Sequence, residues 1–294
     1  MPAGLLLSDF TSCYSSIITI LENDLNMIKH YLVSNSIGRT LFALRDKYEI
    51  VHKALFWPDE VGTIANDQLA TKFVTAMCKP NATFIDVGAH IGSIIGKVQH
   101  LLPAVKIIAV EAIPQKVVHL KKRFPLIDIH NCAVGESTAE AVFYVNRTRS
   151  GYSSLLSPQK NTKDSIEEIR VTIRKLDDLV AADDVNVIKI DVEGAELSVL
   201  RGATAIIARC RPVIMFESAP SHDGSSADKE ALYQFFTEID YALVIPCRLA
   251  HSSTGMTLGG FIDCHIYPRV STNFFAIPVE RAEEIKQNSY QLLN

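Results

Sequence analysis

The sequence predicts an α/β fold built on an open, mainly parallel sheet, and two observations carry that prediction. From residue 83 onward, short apolar runs of strand length alternate with amphipathic runs of helical period, the pattern of successive β-α-β units. The first of these units, Thr83 to Glu111 (TFIDVGAHIGSIIGKVQHLLPAVKIIAVE), sets Gly88 and Gly92 in the turn between strand and helix, and places Asp86 and Glu111 near the ends of its two strands.

That turn points to a ligand. Glycines let backbone approach a bound group closely, a helix N-terminus favours negative charge, and an acid ending the second strand is placed to accept hydrogen bonds from a ribose. The spacing Asp86, Gly88, Gly92 lacks the middle glycine of the pyrophosphate-binding G-x-G-x-x-G pattern. Asp86 would repel a pyrophosphate, yet it suits the ammonium of an amino-acid ligand, directly or through water. S-adenosylmethionine is therefore favoured over NAD, although an ordinary β-α-β turn with no ligand produces the same short pattern.

Charge and composition narrow the partners. A formal net charge of -4 over 294 residues gives no electrostatic case for nucleic acid, and no dense Lys/Arg run marks an anionic membrane. Lys121 to Arg123, and Arg170 with Arg174 and Lys175, read as solvated faces. The six cysteines are scattered with no C-x-x-C pair, so neither a disulfide framework nor a zinc site is expected, and a reducing, cytoplasmic setting is. No apolar stretch reaches the ~18 residues of a membrane span. The start, MPAGLLLSDF, lacks the basic segment of a signal peptide.

Along the chain, Leu7, Phe10, Tyr14, Ile17, Leu21, Leu25, Ile28 and Leu32 recur at three- or four-residue steps, the stripe of one long amphipathic helix. It packs on the main domain, forms a homodimer contact or touches a membrane surface; Asp24 in the seam and few basic residues argue against a coiled coil and a membrane. Gly38, within Ser34 to Thr40, breaks the pattern, and a second helix runs from about Leu41 to Leu55 until Phe56, Trp57 and Pro58 end it. Trp57 reads as a hinge anchor, with a place over a ligand pocket as the alternative. Asn66 or Asp67 is expected to cap a short helix carrying Leu69, Phe73, Val74 and Met77. Residues 1–65 thus form a helical N-terminal extension and 66–294 the main domain.

Beyond Glu111, Pro114 opens a helix to about Arg123. A strand near Ile127 to Ile129 leads into Asn131 to Gly135, a position beside the adenine in doubly wound sheets. Ala141 to Val145 and the stretch around Val171 and Ile173 read as strands flanking a polar loop. Val187 to Ile190 is a strand that ends in Asp191, with a helix starting across Asp191 to Glu196. Pro212 to Phe216 ends in Glu217, a helix carries Leu232, Phe235 and Phe236, and Tyr241 to Ile245 and Phe274 to Ile277 are the remaining strands. His251 to Tyr267 reads only as a loop or hairpin.

Several blocks in this order, FIDVGAHIG (Phe84 to Gly92), NCAVG (Asn131 to Gly135), GYSSL (Gly151 to Leu155), IRKLDDL (Ile173 to Leu179) and above all KIDVEGAELSVLRGA (Lys189 to Ala203), resemble the FkbM family of S-adenosylmethionine-dependent methyltransferases. The resemblance covers roughly Phe84 to Pro278. It implies the class I methyltransferase, Rossmann-like fold: seven strands, six parallel and the last antiparallel, with helices on both faces. It also implies O-methylation, commonly at a hydroxyl of a sugar or a polyketide-type natural product. By position, Asp86, Gly88, His90 and Gly92 would form the cofactor turn, Glu111 would hold the ribose, and Asn131 and Ala133 would lie near the adenine. His90 departs from the asparagine usual in that family, but an imidazole still hydrogen-bonds.

Methyl transfer is an in-line displacement, so catalysis rests largely on positioning, and an alcohol must also lose a proton. Asp191 and Glu217, at the ends of adjacent strands, are the catalytic candidates; helix capping is the structural alternative for Asp191. Glu193 is assigned a supporting role. Lys189 shares a strand face with Asp191 and is expected to pair with a carboxylate there. Ser153 and Ser154 are candidate substrate-binding residues, and His222 is a spare base. Asp191 with Glu217 could supply oxygen ligands to a divalent metal, but no histidine and carboxylate cluster shows clear ligand spacing, and no metal is expected. The competing interpretation is a binding or scaffold protein that keeps this fold without catalysis.

Overall fold

A computed structural model describes residues 36–148, 150–157, 164–220, 225–251 and 254–293. The stripe of residues 7–32 and His222 lie outside the described residues. The chain divides into two compact units, Met1–Glu49 and Ile50–Asn294. Helix α1 (Ser36–Phe56) runs through Gly38 and Thr40, where the sequence predicts a break. A lone glycine costs a helix only about 1 kcal/mol relative to alanine and does not end it unaided.

After a 3-10 turn at Pro58–Glu60, helix α2 (Val61–Met77) starts well before Asn66 and Asp67, so the expected boundary at residue 65 falls inside it and neither residue caps it. Both tie the helix to distant parts of the chain instead. Asn66 is buried; its Nδ2 donates to the carbonyls of Gly62 (3.0 Å) and Val270 (2.9 Å), and its Oδ1 accepts from the amide of Cys247 (2.8 Å). Asp67 Oδ1 accepts from Asn273 Nδ2 at 2.8 Å.

The strands follow in chain order: β1 (Thr83–Val87), β2 (Lys106–Glu111), β3 (Asp128–Asn131), β4 (Ala133–Val134), β5 (Ala139–Asn146), β6 (Ile166–Arg174), β7 (Val185–Ile190), β8 (Val213–Glu217), β9 (Tyr241–Val244) and β10 (Asn273–Pro278). Seven of them form one sheet in the order β3-β2-β1-β7-β8-β10-β9. Only β10, the last in sequence, runs antiparallel to its neighbours. Strands β1 and β7 are buried along their whole length, as expected where a parallel sheet is covered on both faces.

Alternation along each strand sorts the core into two layers. Ile85, Ile188, Ile214 and Phe216 pack with Val199 and Leu200 of α6 (Glu196–Arg201), Ile206 of α7 (Thr204–Cys210) and Phe236 of α8 (Ala227–Glu238). On the other face, Phe84, Val187, Val213 and Met215 pack with Phe73 and Val74 of α2, Ile95 and Val98 of α3 (Ser93–Leu101), and Leu120 of α4 (Pro114–Arg123). The other α-helices among the described residues are α5 (Leu176–Leu179), α9 (Leu258–Asp263) and α10 (Ala282–Leu293). Helix α9 occupies the stretch the sequence leaves as loop or hairpin.

The remaining strands make a separate sheet, β4-β6-β5, in which β5 and β6 form an antiparallel hairpin. Among the described residues no helix is long and apolar enough to cross a membrane.

Replacing Asn66 by alanine removes three hydrogen bonds and strands the Cys247 amide. We expect it to destabilise the fold by ~1–3 kcal/mol, read as a lower urea midpoint with an unchanged slope; an unaltered midpoint would show that these bonds contribute nothing.

Candidate active site

A cavity of about 460 Å³ opens at the carboxyl ends of β1, β2, β7 and β8, where open α/β sheets take their ligands and within the size range of small-molecule pockets. Its floor is the turn after β1. Gly88 and Gly92 have left-handed backbone, at φ 79° and 74°. A Cβ on Gly88 would collide with the Asp191 carbonyl, and one on Gly92 with the rings and methyls of Phe124 and Leu120. Both positions therefore require glycine. His90, at φ 51°, is also left-handed, and its amide donates to Glu111 Oε2 at 2.8 Å.

Register brings the charged groups together. Asp86 pairs with Lys189 across β1 and β7, and Lys189 with Met215 across β7 and β8. Since alternate residues share a face, Asp86, Lys189, Asp191 and Glu217 project from the same side of the sheet. The Lys189 ammonium, only 6% exposed, lies 3.1 Å from Asp86 Oδ1 and 3.2 Å from Asp191 Oδ2. It also donates to the Gly88 carbonyl at 2.9 Å. The expected carboxylate partner is thus two carboxylates. Against the cost of burial, Asp191 and Asp86 together hold Lys189 above the usual lysine range, as an ammonium.

Glu111 is buried, and its two oxygens each accept one amide, Oε1 from Ile113 (2.9 Å) and Oε2 from His90 (2.8 Å). Burial pushes this carboxyl up, while Lys116 and the two amides pull it down. Each oxygen keeps further lone-pair capacity, and Glu111 lines the cavity, which fits a carboxylate reserved for ribose hydroxyls. Ala133 lines the cavity too. Asn131 is not among the lining residues; its Nδ2 donates to the carbonyls of Glu111 and Ala112, both at 3.1 Å, and so holds the strand end that carries Glu111.

The β5-β6 hairpin supplies the outer wall through Phe143, Tyr152, Ser153 and Leu155. Ser153 is buried at the cavity, where its Oγ accepts from the Asn146 amide at 3.1 Å. Ser154 is not among the lining residues: its hydroxyl donates to the Glu193 carbonyl at 2.7 Å and accepts from the Leu156 amide at 3.0 Å. Lys116 lines the cavity and was not singled out from sequence; the available signal was its place one turn into the helix that Pro114 opens after Glu111. Trp57 does not line the cavity; its ring is exposed and lies 4.9 Å from the Lys53 ammonium.

Asp191 precedes α6, whose N-cap is Ala195, so the capping role does not apply. Asp191, Glu193 and Glu217 instead converge, each offering an oxygen within 4.8 Å of the others. Against burial, Lys189 and a hydrogen bond from Glu217 hold Asp191 below the usual carboxylate range. Burial, then the Asp191 charge, pushes Glu217 far up, so it keeps a proton at neutrality. Burial and the neighbouring acids raise Glu193 to about 7. Lys189 and the proton held on Glu217 offset part of the negative charge of the trio. The glycine cradle, the free capacity of Glu111 and the cavity's size all suit an adenosyl amino acid.

The raised Glu217 has a consequence for stability. The native state holds a proton that the unfolded chain releases above the ordinary value of 4.5, so this stability is present below that value and declines as pH rises. Glu217→Gln mimics the protonated form without titrating. Its melting temperature at pH 8 should exceed the parent's, by ~2–4 °C for each kcal/mol recovered, with the difference vanishing near pH 4; a parent more stable than the variant at both would contradict the shift.

Comparison with known proteins agrees with this geometry. The methyltransferase FkbM domain matches residues 86–243, more than half of the chain. Similar solved structures include the FkbM methyltransferase of Methylobacillus flagellatus KT, 20% identical with TM-score 0.43, the match covering 67% of this chain and 43% of that one. A TehB-like S-adenosylmethionine-dependent methyltransferase of Corynebacterium glutamicum is 10% identical over 78% of this chain and 97% of its own, with TM-score 0.36. A Streptococcus mutans protein solved with S-adenosylhomocysteine is 10% identical over 60% and 85%, also at 0.36. The chain thus spans less than half the length of the Methylobacillus protein. Comparison with curated proteins gives no match. By its domain match, the chain belongs to the FkbM family of S-adenosylmethionine-dependent methyltransferases.

Proposed function

We propose that this chain is an O-methyltransferase acting on a hydroxyl of a small molecule, a sugar or glycan or a polyketide-type natural product. The observation that carries the proposal is the convergence of Asp191 and Glu217 in one cavity with the glycine turn and Glu111. When bound, S-adenosylmethionine supplies a methyl group on a sulfonium. On this proposal Glu111 holds the ribose hydroxyls, the Gly88 to Gly92 backbone lies against the ligand, and Ala133 packs near the adenine. Lys189 keeps Asp86 and Asp191 in fixed positions.

At the acceptor end the two catalytic candidates are in complementary states. Asp191 is an anion and accepts a hydrogen bond from the acceptor hydroxyl; Glu217 is protonated, and its hydrogen bond to Asp191 fixes that carboxylate in place. Together they orient the oxygen along the line of displacement, where most of the rate enhancement of such a reaction arises. Ser153 and Tyr152 border the place the acceptor would take. The reaction on this account needs no metal.

The five described cysteines are free, which supports a cytoplasmic location. The N-terminal extension is proposed to mediate a homodimer; on helix α1, Leu44, Tyr48, Val51 and Leu55 recur at helical spacing and are all more than half exposed. Neither nucleic acid nor a membrane is a partner in this proposal.

Calorimetry with S-adenosylmethionine, S-adenosylhomocysteine and NAD tests the cofactor site. Binding of the two sulfur ligands, lost in Glu111→Ala, is expected; preference for NAD would contradict it. Screening methyl glycosides and polyketide alcohols for release of S-adenosylhomocysteine tests the reaction. Asp191→Asn should lower turnover ~10²-fold by loss of positioning while the protein still folds, and EDTA should change nothing. A wild-type rate in Asp191→Asn would favour the non-catalytic alternative for these carboxylates.

A further inference from the structure

Two catalytic carboxylates leave one question open: which group takes the proton. Asp191 is committed to Lys189 at 3.2 Å and to the proton of Glu217, so it is a weak base. Glu217 already carries a proton and cannot accept another. Glu193 is the third member of the trio, lines the same cavity, and has an oxygen within 4.8 Å of those of both partners.

The backbone beneath it is unusual. Glu193 has φ 57°, in the left-handed region that residues with a Cβ rarely adopt, and Gly194 follows at φ 103°. A non-glycine residue stays in that conformation only when its surroundings over-determine it, and such residues cluster at functional sites. Here the GYSSL loop does so. The Ser154 hydroxyl donates to the Glu193 carbonyl at 2.7 Å and accepts the Leu156 amide at 3.0 Å. Leu156 in turn closes over Gly194, where an added Cβ would stand 2.5 Å from Leu156 Cδ1.

We propose that Glu193 is the general base that takes the acceptor's proton, and that Ser154 is its positioning residue. The inference rests on the hydroxyl-acceptor reading. As the acceptor oxygen bonds to the methyl carbon, the carbon–sulfur bond breaks and its electron pair stays on sulfur. The sulfonium becomes a neutral thioether, and the hydroxyl proton passes to the Glu193 carboxylate. Charge balances, since one cation and one anion are consumed. Glu193 is half-buried, so the proton can leave to solvent between turnovers. The charged groups that face it are Asp191 and Lys189 from the end of β7, Glu217 from β8 and Glu196 from α6. Burial and the acids among them raise Glu193 to about 7, the range in which a base works best near neutrality.

Carbon-13 NMR of protein labelled at glutamate Cδ, bound to S-adenosylhomocysteine, reads this directly. Glu193→Gln assigns the resonance, and Glu193→Asp serves should that variant not fold. We expect a midpoint near 7 in the parent, displaced in Ser154→Ala and restored in Ser154→Thr, which keeps the hydroxyl. On methyl glycosides, kcat should rise as pH passes upward through that midpoint. Glu193→Gln should flatten the profile and lower kcat ~10²–10⁴-fold, with S-adenosylhomocysteine affinity unchanged. A midpoint at the ordinary 4.5, or a Glu193→Gln enzyme with the parent's kcat and pH profile, would overturn the assignment and leave O-methylation standing. A midpoint near 7 with turnover of amine or thiol probes, and of no alcohol, would overturn hydroxyl transfer and support Glu193 as the proton acceptor for another nucleophile.

Discussion

The buried ammonium of Lys189 is the interaction on which the rest of this site depends. It lies between the ends of β1 and β7, and it contacts Asp86, Asp191 and the Gly88 carbonyl at once. Two carboxylates buried this near each other without a cation would repel and be driven to protonate. With Lys189 between them, Asp191 stays anionic and the carbonyl of the glycine turn is tied to the same point. The arrangement follows from elementary sheet geometry: two parallel strands in register place Asp86 beside Lys189 on one face, and the residue two further on, Asp191, shares that face.

The other features hang on this frame. Because Gly88 lacks a Cβ, the turn after β1 packs directly against the backbone of Asp191, and the β1 and β7 ends close into a single wall. Glu111 is held on the other side of the turn by two amides, one of them from His90. The hairpin β5-β6 then bears on the segment after β7 through Ser154 and Leu156. Ionisation differs sharply across a few ångströms: Asp191 is an anion, Glu217 keeps its proton and Glu193 titrates near neutrality. Such divergence of neighbouring carboxyls is the usual mark of an acid–base site.

The parts of this design that are local in sequence were legible there. The strand, glycine turn, helix and strand of Thr83 to Glu111 could be read because the spacing of Gly88 and Gly92 reports a backbone need, and because acids at strand ends are few. Asp191 and Glu217 stand out as cavity residues by the same rule. What depended on distant partners was hidden. Asn66 has the composition of a helix cap, but its partners are at Val270 and Cys247, and no local pattern announces them. Helix α9 escaped notice because Gly259 and Gly260 lower its helical propensity, and a wholly buried Phe261 with a Thr257 cap offsets that. Glu193 reads as part of a helix start because φ is not written in composition; its left-handed backbone, at φ 57°, is braced by Ser154 from a distant loop. Ser154 has the sequence setting of a substrate contact, and its hydroxyl bonds to the backbone of Glu193 and Leu156.

The most direct measurement of this account is the binding of S-adenosylhomocysteine to Lys189→Met, by calorimetry, alongside its unfolding midpoint. Removing one partner of a buried ion pair leaves uncompensated charge and costs about 3–5 kcal/mol. If the ammonium organises the site, the variant should lose that order of stability at neutral pH, recover part of it as Asp86 protonates at lower pH, and bind the ligand far more weakly than the parent. A Lys189→Met protein that folds with the parent's stability and binds S-adenosylhomocysteine equally well would show that Lys189 is an incidental buried cation and that the turn and its carboxylates are held by something else.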